Sequence, residues 1–454
     1  MTLRPNLFGR ISLAMYQGAT ALITPILPWH LKRRKNNAKE HPKRWREKLG
    51  HARQPRPQGP LIWINAVGLG EVMALRGLIA ALHAARPELH FLVTSTTLAS
   101  AKTFEKNLPP RTLHQFLPLD TPLYNRRFLD HWRPDLALWS EQDIWPGLVV
   151  ETARHRIPQA LINLRMAPSS FRRKRMARIL FRALYQKFDL ISAQEAQSAA
   201  AVAELSQRQD IQIGGSLKPH CPPLAYTSAA KQAFLEQIGK RPIWLAASCH
   251  AADEDIALQV QRQVVEQGGS HLLILAPRFP DRRKEILAKL SGLRHAQRSQ
   301  GEAPDAQTQV YLADTFSEMG LWYACSDHAL IGGSFCAVEG HNPWEALQLG
   351  CAVMHGPRVA NFAADYAALN AAQAATLTLR PEDLYAALQV PAARGLEGFE
   401  RLQTDYRAKL DDLTGQLLER IRSLSALPNL AENTYELARD VGDLPQKACY
   451  HWPQ

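Results

Sequence analysis

The chain has 454 residues, 46% of them apolar and 21% charged. This is the composition of a folded protein of two or three domains and excludes a disordered one. The net charge of +12 is concentrated, with nine lysines and arginines against two glutamates between Leu31 and Gly50. The rest of the chain is only mildly basic, so no nucleic-acid partner is expected. Six cysteines without a C-x-x-C pair and sixteen histidines without an H-E-x-x-H pattern exclude a disulfide scaffold and predict no metal site.

In chain order, residues 11 to 29 come first and carry no charge. Their length approaches one membrane span, although Gln17, Pro25 and Pro28 weaken it. A spanning anchor, an interfacial segment and a signal peptide are the alternatives. The last is disfavoured because no small-residue cleavage site precedes the basic block. Basic residues after an apolar segment stay on the cytoplasmic side and attract anionic lipid heads. Residues 1–50 are therefore expected to be a membrane anchor with a basic collar, dispensable for the fold of the remainder.

The run "LIWINAV" predicts a buried strand, bounded by Pro60 and Gly68. Val72, Leu75, Leu78, Ile79 and Leu82 then recur at helical spacing. Gly68 and Gly70 mark a strand-to-helix turn, and Glu71 falls in the first turn of the helix. An acid there offsets the helix dipole. It also stands at the carboxyl edge of a parallel sheet, where ligands bind. "HFLVTST", "TLHQFLPL", "LALWS", "QALINLR", "LISAQ" and "IQIGGS" follow, separated by helical patterns. They predict a doubly wound domain over 51–218.

The proline-rich stretch "LKPHCPPLAYTS" (217 to 228) interrupts the alternation, with a linker expected over 219–230. The alternation restarts over 231–396 with "PIWLAAS", "HLLILAP", "VYLAD", "HALIGG", "AVMHG" and "ATLTL". Residues 294 to 309 are polar and predict an exposed loop. A helical pattern over 397–454 is expected to pack back toward the first domain. The fold class is α/β: two Rossmann-like domains of the GT-B type, with a cleft at the carboxyl edges of both sheets.

Candidate site residues lie just past predicted strands. In the first half these are Glu71, Glu141, Asp143 and Arg165, then Lys218; in the second, Ser248, His250, Arg278, Gly332, Gly333 and Ser334. Asn342 is expected to cap a helix beginning at Pro343. With the glycines this start predicts a phosphate cradle. Glu345 is placed to accept hydrogen bonds from ribose hydroxyls. Lys218, Arg278 and the cradle offer positive charge to a leaving phosphate.

Several stretches carry a family resemblance: "WINAVGLGEV", "TSTT", "FLPLDTPLYNRRFLDHWRPDLALWSEQDIWPGL", "GGSLK", "LAASCH", "LLILAPRFPDR" and "LADTFSEMGLWYACSDHALIGGSFCAVEGHNPWEALQLGCAVMHGP". In this order they resemble the Kdo (3-deoxy-D-manno-octulosonic acid) transferases. Where that family usually has V-S-V-G-E, N-L-K-F and H-N-x-L-E-P, this chain has Gly68 for the serine, "SLKP" and "HNPWEA". The resemblance implies transfer of Kdo from CMP-Kdo to a lipid A precursor at the cytoplasmic face of the inner membrane, with inversion and with neither metal nor cofactor. It implies Glu71 as general base, with Glu141 and Lys218 also catalytic. The CMP-Kdo contacts are then expected from the strand-end residues Arg165, Ser248, His250, Arg278, Gly332, Gly333, Ser334, Asn342 and Glu345. A nucleotide-sugar 2-epimerase and a non-catalytic sugar-nucleotide binder at the membrane are the alternatives.

Overall fold

The computed structural model describes residues 7–37, 39–66, 69–98, 101–102 and 108–421, without the side chains of 69–72. Gly68, Cys449 and the segment 422–454 lie outside it. Among the described residues the strands form two parallel seven-stranded sheets.

The first sheet comprises β1 (Leu61–Asn65), β2 (His90–Ser95), β3 (Thr112–Phe116), β4 (Leu136–Ser140), β5 (Gln159–Leu164), β6 (Leu190–Ala193) and β7 (Gln212–Ile213). Its order is β3-β2-β1-β4-β5-β6-β7. Crossover helices cover both faces of such a sheet, so its central strands are apolar throughout rather than alternating. Every residue of β1, β4 and β5 is buried. Trp63 packs edge-on against Trp139 and Phe128, with ring centroids 5.2 and 5.1 Å away. The chain winds outward from β1 in one direction and from β4 in the other, so the topological switch point lies between these two strands.

The second sheet comprises β8 (Ile243–Cys249), β9 (Leu272–Pro277), β10 (His295–Gln297), β11 (Val310–Leu312), β12 (His328–Ile331), β13 (Ala352–His355) and β14 (Ala375–Leu377). The order β10-β11-β9-β8-β12-β13-β14 puts its switch point between β8 and β12. Among the described residues, one compact unit holds those up to 72, those of 79–213 and those from 412 on, and the other 73–78 and 214–411.

Two expectations need correcting. Residues 294 to 309 are not simply a loop, because His295–Gln297 pairs in parallel with Val310–Leu312 as an edge strand. Polar bonds hold it: the buried Asp314 accepts from Gln297 Nε2 at 2.7 Å and from the Ser299 amide at 2.9 Å. An edge strand fixed by side-chain amides and hydroxyls leaves no apolar run to read.

The first fifty residues are also part of the first unit's fold. Leu31, Trp45, Leu49 and Tyr124 form a buried cluster. Arg44 and Glu47 are both buried and paired at 2.8 Å, and Glu47 Oε2 accepts the Phe116 amide of β3. Removing one partner of such a pair costs about 3–5 kcal/mol. Both of the collar's acids, Glu40 and Glu47, are buried, and of its bases Arg44 is buried with them. Upstream, the helix Leu7–Ile23 buries Gly9, Leu13 and Gln17. Tyr16 OH donates to Asp120 at 2.8 Å, and Tyr124 OH to the Thr24 carbonyl at 3.0 Å.

Candidate active site

In the first unit the candidate groups follow three adjacent strands. Glu71 is the third residue of the helix Leu69–Ala85, which follows β1; its side chain lies outside the described residues. Glu141, just past β4, has φ of +58°, and Asn163, near the end of β5, has φ of +53°. The β5–β6 register shifts between Leu161 and Leu164, just before Arg165. A left-handed backbone costs a residue with a side chain roughly 1–2 kcal/mol, so surrounding bonds must impose it. One of these bonds is visible, from the Glu141 amide to the Ile162 carbonyl at 3.0 Å. Beside it, the buried Asn65 accepts from Thr94 Oγ1 and donates from Nδ2 to the Asp143 carbonyl at 3.3 Å. This buried polar chain pins the 141–145 loop across the switch point. Glu141 and Arg165 are half-buried, and Asp143 is exposed.

Sequence reasoning missed the cleft beside Asp143. It measures about 310 Å³ and is lined by Gln142, Asp143, Ser170, Arg173, Lys174 and Phe181. Burial pushes the Lys174 ammonium down to about 8, Asp143 opposing. Lys174 donates to the Gln142 carbonyl at 3.3 Å. The available signal was compositional: residues 165 to 188 hold eight lysines and arginines and no acid.

In the second unit Ser248 is the next-to-last residue of β8, His250 follows that strand, Arg278 follows β9 and Gly332 to Ser334 follow β12, so they flank that switch point. Ser248 has φ of +53°, and the β8–β9 register shifts between Ala247 and Cys249. A Cβ on Gly332 would stand 2.5 Å from the Ser248 carbonyl oxygen, so only glycine lets the two strand ends meet. Gly333, at φ of +70°, turns the chain away.

The expected phosphate cradle is already filled, and not by a ligand. Asp253 is fully buried and its carboxylate accepts three backbone amides: Gly333 at 2.7 Å, His250 at 2.9 Å and Phe335 at 3.1 Å. The Gly333 amide is thus spent inside the protein. Asp253 escaped notice because first-turn acids are common. Ser334 is likewise turned inward; its hydroxyl donates to the Ile331 carbonyl and accepts the Gly356 amide.

The helix after Asn342 is shorter than expected. It spans Trp344–Leu347, one turn, which leaves little dipole for an anion. Asn342 does act at its start, accepting the Trp344 amide at 3.2 Å and donating to Glu345 at 3.1 Å. Burial raises the Glu345 carboxyl above its ordinary value, and the Asn342 bond opposes. Lys218 meets Asp365 at 3.2 Å and lies 4.3 Å from the Phe362 ring centre. Asp365 also accepts Trp344 Nε1 at 2.9 Å, so Lys218 is tied to the turn carrying Asn342 and Glu345. Arg278 is exposed, and His250 stacks on His341 with Nε2 atoms 3.2 Å apart.

Residues 43–220 match a family described as 3-deoxy-D-manno-octulosonic-acid transferase (kdotransferase). Over 407 residues the chain is 33% identical to the "Probable 3-deoxy-D-manno-octulosonic acid transferase, mitochondrial" of Arabidopsis thaliana, covering 87% of this chain and 91% of that one. The chain belongs to the Kdo transferase family. It is therefore a glycosyltransferase. Solved structures agree in fold: a glycosyltransferase from Rickettsia africae (TM-score 0.51, 11% identity, 82% of this chain and 100% of that one) and a UDP-GlcNAc 2-epimerase from Neisseria meningitidis (TM-score 0.50, 12% identity, 80% and 100%). The GT-B-like fold hosts both chemistries and does not choose between them; the family does.

Proposed function

We propose that this Kdo transferase takes Kdo from CMP-Kdo and passes it to a hydroxyl of a lipid A precursor, inverting the anomeric centre without a metal. The supporting observation is the position of Glu71, in the first turn of the helix leaving β1, with Glu141 just past the neighbouring β4 at the switch point. A hydroxyl is a poor nucleophile, so a carboxylate must take its proton as it attacks. Glu71 is that base in this scheme, and Glu141, on its kinked strand end, orients the acceptor. As the anomeric C–O bond breaks, its electron pair stays on the CMP phosphate, and Arg278 and Lys218 offset the new charge. Glu345 and Asn342 hold the nucleotide, with Arg165, Ser248 and His250 as further donor contacts. Gly332, Gly333 and Ser334 serve by shaping the backbone around them.

The enzyme works at the cytoplasmic face of the inner membrane in this scheme, anchored by its N-terminal helices. Residues 7–36 are long and apolar enough to cross a bilayer. The bonds from Tyr16 and to Thr24 favour a helix lying in the interface instead. Its free side exposes Leu7, Phe8, Ile11, Met15 and Leu22, as an interfacial helix requires. The test is incubation of the full-length protein with CMP-Kdo and a lipid A precursor, followed by mass analysis of the lipid. A gain of one or more Kdo units is expected; an unchanged lipid with consumed donor would overturn the acceptor assignment.

A further inference from the structure

On the donor side, His250 is one half of a pair of titratable groups. His250, just after β8, and His341, on the β12–β13 crossover, stack at 20° with centroids 5.4 Å apart. Their Nε2 atoms stand 3.2 Å apart, a hydrogen bond in which one ring must donate and the other accept. Among the described residues no third His, Cys, Asp or Glu completes a metal site with them. The bond between the rings therefore calls for a proton, not a metal ion.

The surroundings fix what the pair can do. The Phe279 ring meets His250 edge-on at 5.6 Å, and Arg278 lies beside Phe279. Tyr366 OH donates to the His341 carbonyl at 3.0 Å and holds that residue in place. A Cβ on Gly333 would come within 3.3 Å of His341 Nε2, so the glycine leaves this edge of the pair uncovered by a side chain. Asp253 is the nearby acid, and three backbone amides already hold its charge. Burial, then His250 and Arg278, lower the His341 imidazole below its ordinary value, with Asp253 opposing. Burial and these cationic neighbours thus favour the neutral form of His341.

We propose that His250 and His341 act as one proton-sharing unit, and that an anionic nucleoside monophosphate or its sugar ester binds beside them with uptake of one proton. The proposal rests on the reading that the donor seats on this unit. One proton fits: it charges the donating ring and strengthens the Nε2–H···Nε2 bond. A second would set two N–H donors face to face, so the pair carries a charge of zero or one. The proton comes from solvent as the ligand's negative charge arrives, and it returns when product CMP leaves. While the C–O bond breaks, the pair adds one positive charge beside the leaving phosphate, which a neutral pair cannot.

The probe is CMP, titrated calorimetrically into the full-length protein at pH 7 in two buffers of different ionisation heat. The dependence on buffer heat counts the protons taken up. His341→Gln keeps a polar side chain without a titrating group, so the difference between wild type and variant removes the ligand's own titration. The wild type should take up to one more proton than the variant. Its affinity advantage should shrink as pH rises, by up to about tenfold per pH unit. His250→Gln should behave alike and serves if His341→Gln fails to fold. Equal proton counts and parallel affinity profiles in folded variants would overturn the proposal. No CMP binding by an active wild type would instead remove the donor-site reading, and this proposal with it.

Discussion

Asp365→Asn tests the anchoring of Lys218 with least disturbance to the rest of the site. Asp365 is 3% exposed; one oxygen accepts Trp344 Nε1 at 2.9 Å and the other meets Lys218 at 3.2 Å. The amide can still accept from the indole, so the substitution removes mainly the charge. Breaking a buried pair costs about 3–5 kcal/mol. Lys218 keeps 17% side-chain exposure and its contact with Phe362, so water and the ring recover part of that. The remainder is roughly 2 kcal/mol. In a unit of this size that lowers the thermal midpoint by roughly 4–8 °C.

Lys218→Met alone should cost a similar amount, because it leaves the Asp365 carboxylate buried with only an indole N–H. The double variant has no unpaired charge and should lose much less than the two losses summed. Calorimetry on the four proteins closes the cycle, and a coupling near 2 kcal/mol is expected. Additivity within about 0.5 kcal/mol would refute the account, since residues without mutual interaction behave that way. Transfer kinetics add a second reading. Asp365→Asn keeps the lysine's charge but frees its position, so kcat should fall more than affinity for CMP-Kdo.

Glu71→Gln should leave fold and CMP affinity intact while transfer falls by roughly two to four orders of magnitude, the range for a lost general base; a folded variant with more than half the wild-type rate would end that assignment. Glu345→Gln should raise the thermal midpoint at pH 7.5 while weakening CMP binding. The folded-state pKa lies above the unfolded one, so the charge penalty is full above the folded pKa and the gain should vanish as pH falls below about 4.5. Gly332→Ala should destabilise by about 1–3 kcal/mol, because the added carbon meets backbone at 2.5 and 2.8 Å and nothing flexible can yield. Gly415→Ala, in the exposed face of the helix Ala393–Glu419 with nothing within 4 Å, should stabilise by roughly 0.5–1 kcal/mol in urea titration.

The strands were legible where burial on both faces makes a run apolar without interruption, as in "LIWIN" and "LALWS". His295–Gln297 was not, because an edge strand held by Asp314 needs no apolar side chain. Site residues were legible as strand-end groups, since each strand's end can be read locally. Their neighbours were not. Strand order decides that β1 stands beside β4 and that β8 stands beside β12, and order is a property of the crossovers. Asp253 shows the same limit from the other side. As a residue it is an ordinary first-turn acid, and only the folded loops reveal that it holds three amides.

That use of Asp253 changes where positive charge for a phosphate must come from. A glycine turn with free amides would have supplied partial charges from the backbone, fixed at every pH. Here a buried carboxylate has consumed those amides, so the strand ends are rigid before any ligand arrives. What remains beside them is side-chain charge: the exposed Arg278, the tethered Lys218 and the histidine pair. Of these, Arg278 is charged at every working pH, and Lys218 is already half neutralised by Asp365. In the proposal above, the histidine pair alone changes its charge with the state of the ligand. A transferase whose leaving group gains negative charge during the reaction is served by such a group, because it need not be charged while the site is empty.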